Sequence, residues 1–225
     1  MVVLQQYLPQ EGEAGIFYIR DPRADAGRII GLALRYFPRV TGDGVHIIAE
    51  PMAADPRAQR LLKSPKHQPS QNATVGASRV PLTGEVVRLA TIGSTRVGGL
   101  YRDGRVHITP ELTLAIDAIA QDMPAFYFGR FDVRFKTIQD LSAGRAFSIM
   151  EVNGAGSEGI QAWDPGVGVL AGFRMIFKKQ RILFAIANAM RCRGFKPLGV
   201  LELARLNRRQ NSLISRYPPS NKPAY

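Results

Sequence analysis

Two short stretches set charged and amide side chains among large apolar ones, and they constrain the fold more than any other feature of the chain. One is Gly129-Arg-Phe-Asp-Val133, and the other is Met150-Glu-Val-Asn153. Both read as strands, over residues 126–135 and 147–152. Period-two geometry then puts Glu151 and Asn153 on one face of the second strand. Asp132 on a neighbouring strand would complete an all-oxygen triad. Two carboxylates and an amide oxygen are hard ligands that suit Mg²⁺ better than zinc. Arg130 and Arg134 flank Asp132, and at most one is expected to reach the same cluster unless the strand bulges. An Asp–Arg pair beside ordinary strand-end polar residues is the alternative that the residues leave open.

The rest of the chain supplies more strands than helices, mostly joined by turns. Strands are predicted over residues 1–8, 14–20, 84–92 and on both sides of Asp103-Gly104, a two-residue hairpin signal. Residues 28–37 read as a strand or a short helix, and 45–54 as a short helix. Thr109-Pro110-Glu111 opens a helix, with threonine as the N-cap and proline in the first turn. Its apolar positions Leu112, Ile116, Ile119 and Met123 recur at three to four. A long helix is predicted from about 167 to 191, with Gly194 as the residue that ends it. Residues 63–81 hold Pro, Ser, Gln, Asn and Gly without periodicity and read as a mobile loop. The predicted class is α+β, a mostly antiparallel sheet flanked by helices, with one domain over 1–195 and a basic tail over 196–225, of which 205–225 is expected to be loosely held.

Charge bears on partners. Thirty Lys and Arg against eighteen Asp and Glu give +12, and 23 of the basic residues are arginine. That balance invites an anionic partner: nucleic acid, anionic lipid or a phosphorylated small molecule. A single cysteine excludes an internal disulfide framework. No apolar run approaches the ~20 residues of a membrane span, and the N-terminus lacks the pattern of a secretory signal. The expected compartment is the cytoplasm.

GRFDV followed by EVN resembles the metal-binding core of the ATP-grasp ligases, in particular the D-alanine–D-alanine ligase type and related carboxylate–amine ligases. Residues 2–8 (VVLQQYL) resemble that family's interlobe hinge strand, and Gly12-Glu13 its following G-x-E element. The likeness extends over about residues 1–170 and implies ATP and Mg²⁺ as cofactors. Asp132, Glu151 and Asn153 would be the metal ligands, with Glu151 bridging. Arg130 would be the catalytic cation at the transferring phosphoryl group. Gln5, Gln6, Tyr7 and Leu8 would read adenine, and Glu13 would hold ribose. Ser157 and Glu158 would face the acceptor substrate. The implied reaction is phosphorylation of a carboxylate by ATP, then attack of an amine on the acyl phosphate.

The chain departs from that pattern in beginning at the hinge. The family's N-terminal lobe, with its two phosphate-binding lysines, is expected to be missing. The first lysine is Lys63, and Lys63 or Lys66 would have to cover the phosphates from the 63–81 loop. A second chain supplying the lobe, or a homodimer, is the expected partner beside nucleotide, carboxylate and amine. The alternative reading is a non-enzymatic basic module that binds nucleic acid or another anionic partner.

Overall fold

A computed structural model describes residues 6–59, 61, 76, 78–90 and 93–216. The chain divides into two compact units, Met1–Tyr36 with Leu100–Met190, and Phe37–Gly99 with Arg191–Tyr225. The first unit holds a five-stranded antiparallel sheet: β1 (Gly12–Ile19), β2 (Arg28–Tyr36), β5 (Leu100–Asp103), β6 (Phe128–Phe135) and β7 (Phe147–Asn153). Its strand order is β5-β2-β1-β6-β7, so β1 lies at the centre and β6 beside it. Its helices are α2 (Pro110–Gln121), α3 (Ile138–Ser142) and most of α4 (Val169–Cys192).

Alternation gives this sheet two unlike faces. Ala14, Ile16 and Tyr18 of β1 and Phe131, Val133 and Phe135 of β6 pack with Leu112, Ile116 and Ala120 of α2 and Leu141 of α3. Thr109 caps α2 as expected, its hydroxyl accepting from the Leu112 N–H at 3.1 Å. Thr137 caps α3 in the same way, so residues 138–142 form a helix between the two site strands.

Asp117 of α2 is buried in this layer and accepts from the Tyr18 hydroxyl at 2.5 Å, the Gly27 N–H at 2.9 Å and the Gln121 amide at 2.9 Å. Burial and the Asp117 carboxylate beside it push the Tyr18 hydroxyl well above its usual pKa. Burial opposes the ionised form of Asp117, but its hydrogen bonds prevail and hold its pKa below the ordinary aspartate value. A side chain at Gly27 would meet the Tyr18 ring and hydroxyl, the nearest atom 2.1 Å from its Cβ.

The opposite face carries charge at its centre and apolar residues at one end. There Phe17, Ile19 and Phe128 pack with Ile182, Leu183 and Ile186 of α4.

The second unit contains a two-stranded antiparallel sheet of β3 (Arg39–Thr41) and β4 (Val86–Arg88), helix α1 (Ala49–Ala54) and helix α5 (Val200–Ile214). Val40, Ile48, Met52, Leu61 and Val87 form its core. The Arg88 guanidinium lies 3.5 Å over the Phe37 ring.

Three expectations are corrected. Residues 6–10 carry no strand, and residues 1–5 lie outside the described residues. Asp103-Gly104 turns no hairpin: β5 pairs with β2, and Arg105–His107 follows as a 3-10 turn. The Gly104 N–H is drawn to the Leu32 carbonyl at 2.8 Å, and the Asp103 carboxylate accepts from the Arg105 N–H at 3.1 Å. Those bonds favour a turn over a returning strand. The strand expected over 84–92 shortens to β4. Within the basic tail, Val200–Ile214 form α5, and no residue of that helix is buried.

Candidate functional site

The charged face is built by strand register. β1 places Glu13 opposite Arg35 of β2 on one side and opposite Arg134 of β6 on the other. Two residues along, Gly15 faces Asp132. Arg35 donates to Glu13 at 3.0 Å and reaches over β1 to Asp132 at 2.9 Å. Arg134 lies 3.2 Å from the other Glu13 oxygen and donates to the Gln10 carbonyl at 2.8 Å. Arg130 grips Asp132 through two nitrogens, at 2.6 and 3.0 Å, and donates to the Glu158 carbonyl at 3.0 Å. The Asn153 amide donates to Asp132 at 3.3 Å. Glu13 and Asp132 are 3% and 2% exposed, so this network is desolvated. A Cβ on Gly15 would lie 2.9 Å from Ile160, 3.1 Å from the Arg130 side chain and 3.3 Å from an Asp132 oxygen. The absence of a side chain at Gly15 therefore lets Arg130, Asp132 and Ile160 close over the centre of the sheet.

Three guanidinium groups against two carboxylates leave one positive charge. Burial works against charging Arg35, but Asp132 and Glu13 outweigh it and raise its pKa. The exposed Glu151 lies on the same ladder as Asp132, and Asn153 pairs with Arg130. The β6–β7 register shifts between Asp132 and Val133: Val133 pairs with Ile149, whereas Asp132 pairs with Glu151. Met150 is thus the extra residue of a β-bulge. Without it, Asp132 would face Met150, and Glu151 would turn toward the apolar layer opposite Phe131. The bulge is what brings Glu151 and Asn153 to the charged face.

The predicted site residues therefore separate. Arg130, Asp132, Glu151 and Asn153 come together. Arg130 reaches Asp132, while Arg134, on the same face, goes to Glu13. Glu13 stands inside the ion-pair network rather than open to a ribose. Tyr7 is exposed and Leu8 half-buried in irregular chain, with Gln6 beside them. Gln5, Lys63 and Lys66 lie outside the described residues. Ser157 is buried, with its carbonyl accepting from Lys179 at 2.9 Å. Glu158 is exposed and accepts from the Trp163 indole N–H at 3.3 Å.

Glu158 and Trp163 line a cleft of about 260 Å³ whose other walls include Phe17, Ile30, Lys178 and Lys179. Burial lowers the Lys179 pKa, and Glu158 acts in the other direction. Sequence reasoning missed Arg35. The turn cluster at 21–27 points to a β1–β2 hairpin, but the register shift between Phe17 and Tyr18 is what sets Glu13 opposite Arg35 rather than Leu34. The lysines of the cleft carry no such local signal, since α4 brings them in from a distant part of the chain.

No family model matches the sequence, and no curated protein matches it. Among solved structures, the chain is similar to a bifunctional glutathione synthetase from Pasteurella multocida, at 17% identity and a TM-score of 0.46. The likeness covers 77% of this chain and 24% of that one. The chain thus spans about a quarter of that protein's length, and at this identity and score the likeness carries no functional conclusion. No described helix is long and apolar enough to cross a membrane.

Proposed function

We propose that the chain is the ATP- and Mg²⁺-binding domain of an ATP-dependent carboxylate–amine ligase of the ATP-grasp type, acting through an acyl phosphate. The observation that carries this reading is the paired register Asp132–Glu151 and Arg130–Asn153 on one face of the sheet.

The donor set fits Mg²⁺ in kind: two carboxylates and an amide, with no sulfur or imidazole. Asp132 Oδ2 accepts from Arg35, Arg130 and Asn153, whereas among the described residues Oδ1 accepts only from Arg130. A carboxylate oxygen has two lone-pair sites, so Oδ1 keeps one. Glu151 adds an exposed carboxylate. Asp132, Glu151 and the Asn153 amide oxygen would hold the ion. Bound there, Mg²⁺ would neutralise the phosphates of the nucleotide.

The chain's own residues supply the remaining electrostatics. Arg130 and Arg35 would face the charge that develops as a carboxylate oxygen attacks the γ-phosphorus and ADP leaves. An amine nitrogen would then attack the acyl carbon, with loss of phosphate and a proton. Glu158, at the edge of the cleft, would lie on the acceptor side.

The test is calorimetric titration of ATP with and without Mg²⁺, on the native chain and on Asn153→Ala. Mg²⁺-dependent binding that disappears in the variant is expected. Nucleotide binding indifferent to Mg²⁺ and to Asn153 would count against the reading.

A further inference from the structure

Helix α4 has two apolar faces, and the fold uses one. Ile182, Leu183 and Ile186 pack against Phe17, Ile19 and Phe128. On the other side Leu170, Phe173, Phe177 and Phe184 follow one another at spacings of three, four and seven, which keeps them on one stripe. They are between 53% and 74% exposed. Within the stripe the Phe173 and Phe177 rings stack at 6.3 Å with 26° between their planes, and Gln180 and Arg181 stand between Phe177 and Phe184. The stripe runs for about 21 Å along the helix. Arg174, Lys178 and Arg181 border it on one side and are exposed. From Pro165 to Leu201 the chain contains seven Lys or Arg and no Asp or Glu.

We propose that α4 docks the protein on an anionic lipid surface, lying in the plane of the bilayer. The ridge would enter the boundary between headgroups and acyl chains, and Arg174, Lys178 and Arg181 would reach the phosphates beside it. This is the pattern of an interfacial helix: an apolar face rich in Phe and Leu, a flank of Lys and Arg, and low overall hydrophobicity. Charge complementarity selects this occupant. A second copy of the chain meeting the same face about a two-fold axis would set these cations against their own copies, with no acidic residue in the segment to answer them. The docking is independent of the ligase reading and shares with its cleft only Lys178.

The test uses the full chain and sedimented vesicles of phosphatidylcholine, with or without about one third phosphatidylglycerol. Binding is expected to the anionic vesicles and to fall as salt is raised. The exposed double substitution F173S/F177S is expected to lower partitioning by at least about tenfold, from lost apolar burial. R174Q/K178Q/R181Q is expected to lower it by about a hundredfold, and only on anionic vesicles. All five substituted positions are exposed, and circular dichroism would confirm that both variants stay folded. Failure of the native chain to bind anionic vesicles would overturn the proposal. So would unchanged partitioning of F173S/F177S. Concentration-dependent dimerisation abolished by F173S/F177S, or binding of single-stranded oligonucleotides in preference to vesicles, would assign the ridge to a different occupant and equally overturn it.

Discussion

Arg35 holds two buried carboxylates at once, Glu13 at 3.0 Å and Asp132 at 2.9 Å, across the central strand of the sheet. Breaking a buried ion pair from one side costs about 3–5 kcal/mol, because the abandoned charge stays desolvated. Arg35→Met is expected to destabilise the protein by that amount in urea unfolding. Adding Glu13→Gln to it should recover part of the loss. Strict additivity of the two changes would mean that they do not act on each other.

Glu151 separates binding from stability. It is exposed, and surface substitutions of this kind stay within about 0.5 kcal/mol. Glu151→Gln is expected to leave the urea midpoint in place and to weaken Mg²⁺-dependent ATP binding at least tenfold. Asp132→Asn is expected to do both kinds of damage. Titration calorimetry beside urea unfolding reads the difference.

Gly27 is expected to tolerate no side chain. Its Cβ would lie 2.1 Å from the Tyr18 hydroxyl and 2.3 Å from the ring carbon that bears it. Tyr18 is fully buried and cannot swing away. Gly27→Ala should cost about 1–3 kcal/mol, in the range of overpacked cores. A thermal melt unchanged by the substitution would show that the turn gives way instead.

Asp117 sets a pH dependence. Its folded pKa lies below the ordinary value of 3.8, so its ionised form contributes stability that is complete above that value. That contribution is lost as pH falls through the lower folded pKa. Asp117→Asn is expected to be less stable than the native protein at neutral pH, with the gap narrowing as the solution is acidified below pH 3.8. Urea midpoints taken across that window test it, and a gap that does not change with pH would contradict it.

Lys179 ties α4 to the loop after β7 by its bond to the Ser157 carbonyl at 2.9 Å. Lys179→Met should speed hydrogen exchange of the amides at 154–158 and leave β1 unchanged. Equal protection in both proteins would show that the loop is held by other contacts.

Local signals carried much of the fold. The Thr109 cap, the α2 periodicity, and the alternation in β6 and β7 each depend on neighbours within a turn or a strand. The strands themselves were legible because their apolar and polar residues alternate. The α5 helix was not, since it buries nothing and its arginines mask the apolar spacing of Leu203, Leu206 and Leu213. Asp103-Gly104 misled because a dipeptide signals a turn without saying what pairs beyond it, and Leu32 of β2 decided that. At the site, Asp132, Glu151 and Asn153 could be grouped from sequence. Their partners could not, because Arg35 and Gly15 enter through long-range register. A bulge, too, is a relation between two strands and leaves little mark on either alone.

That bulge also predicts which length changes the site survives. The stretch from Lys136 to Ala146 joins two adjacent antiparallel strands at one end of the sheet, and residues gained or lost there need not alter the pairing beyond Phe147. Between Ile149 and Glu151 the bulge takes up one extra residue. Deleting Met150 would set Glu151 next to Ile149 and restore a regular ladder, with Glu151 still opposite Asp132. Relatives of this protein should therefore vary freely in the length of the β6–β7 connection, and those that lack a residue at the Met150 position should lose the bulge and keep the Asp132–Glu151 pairing.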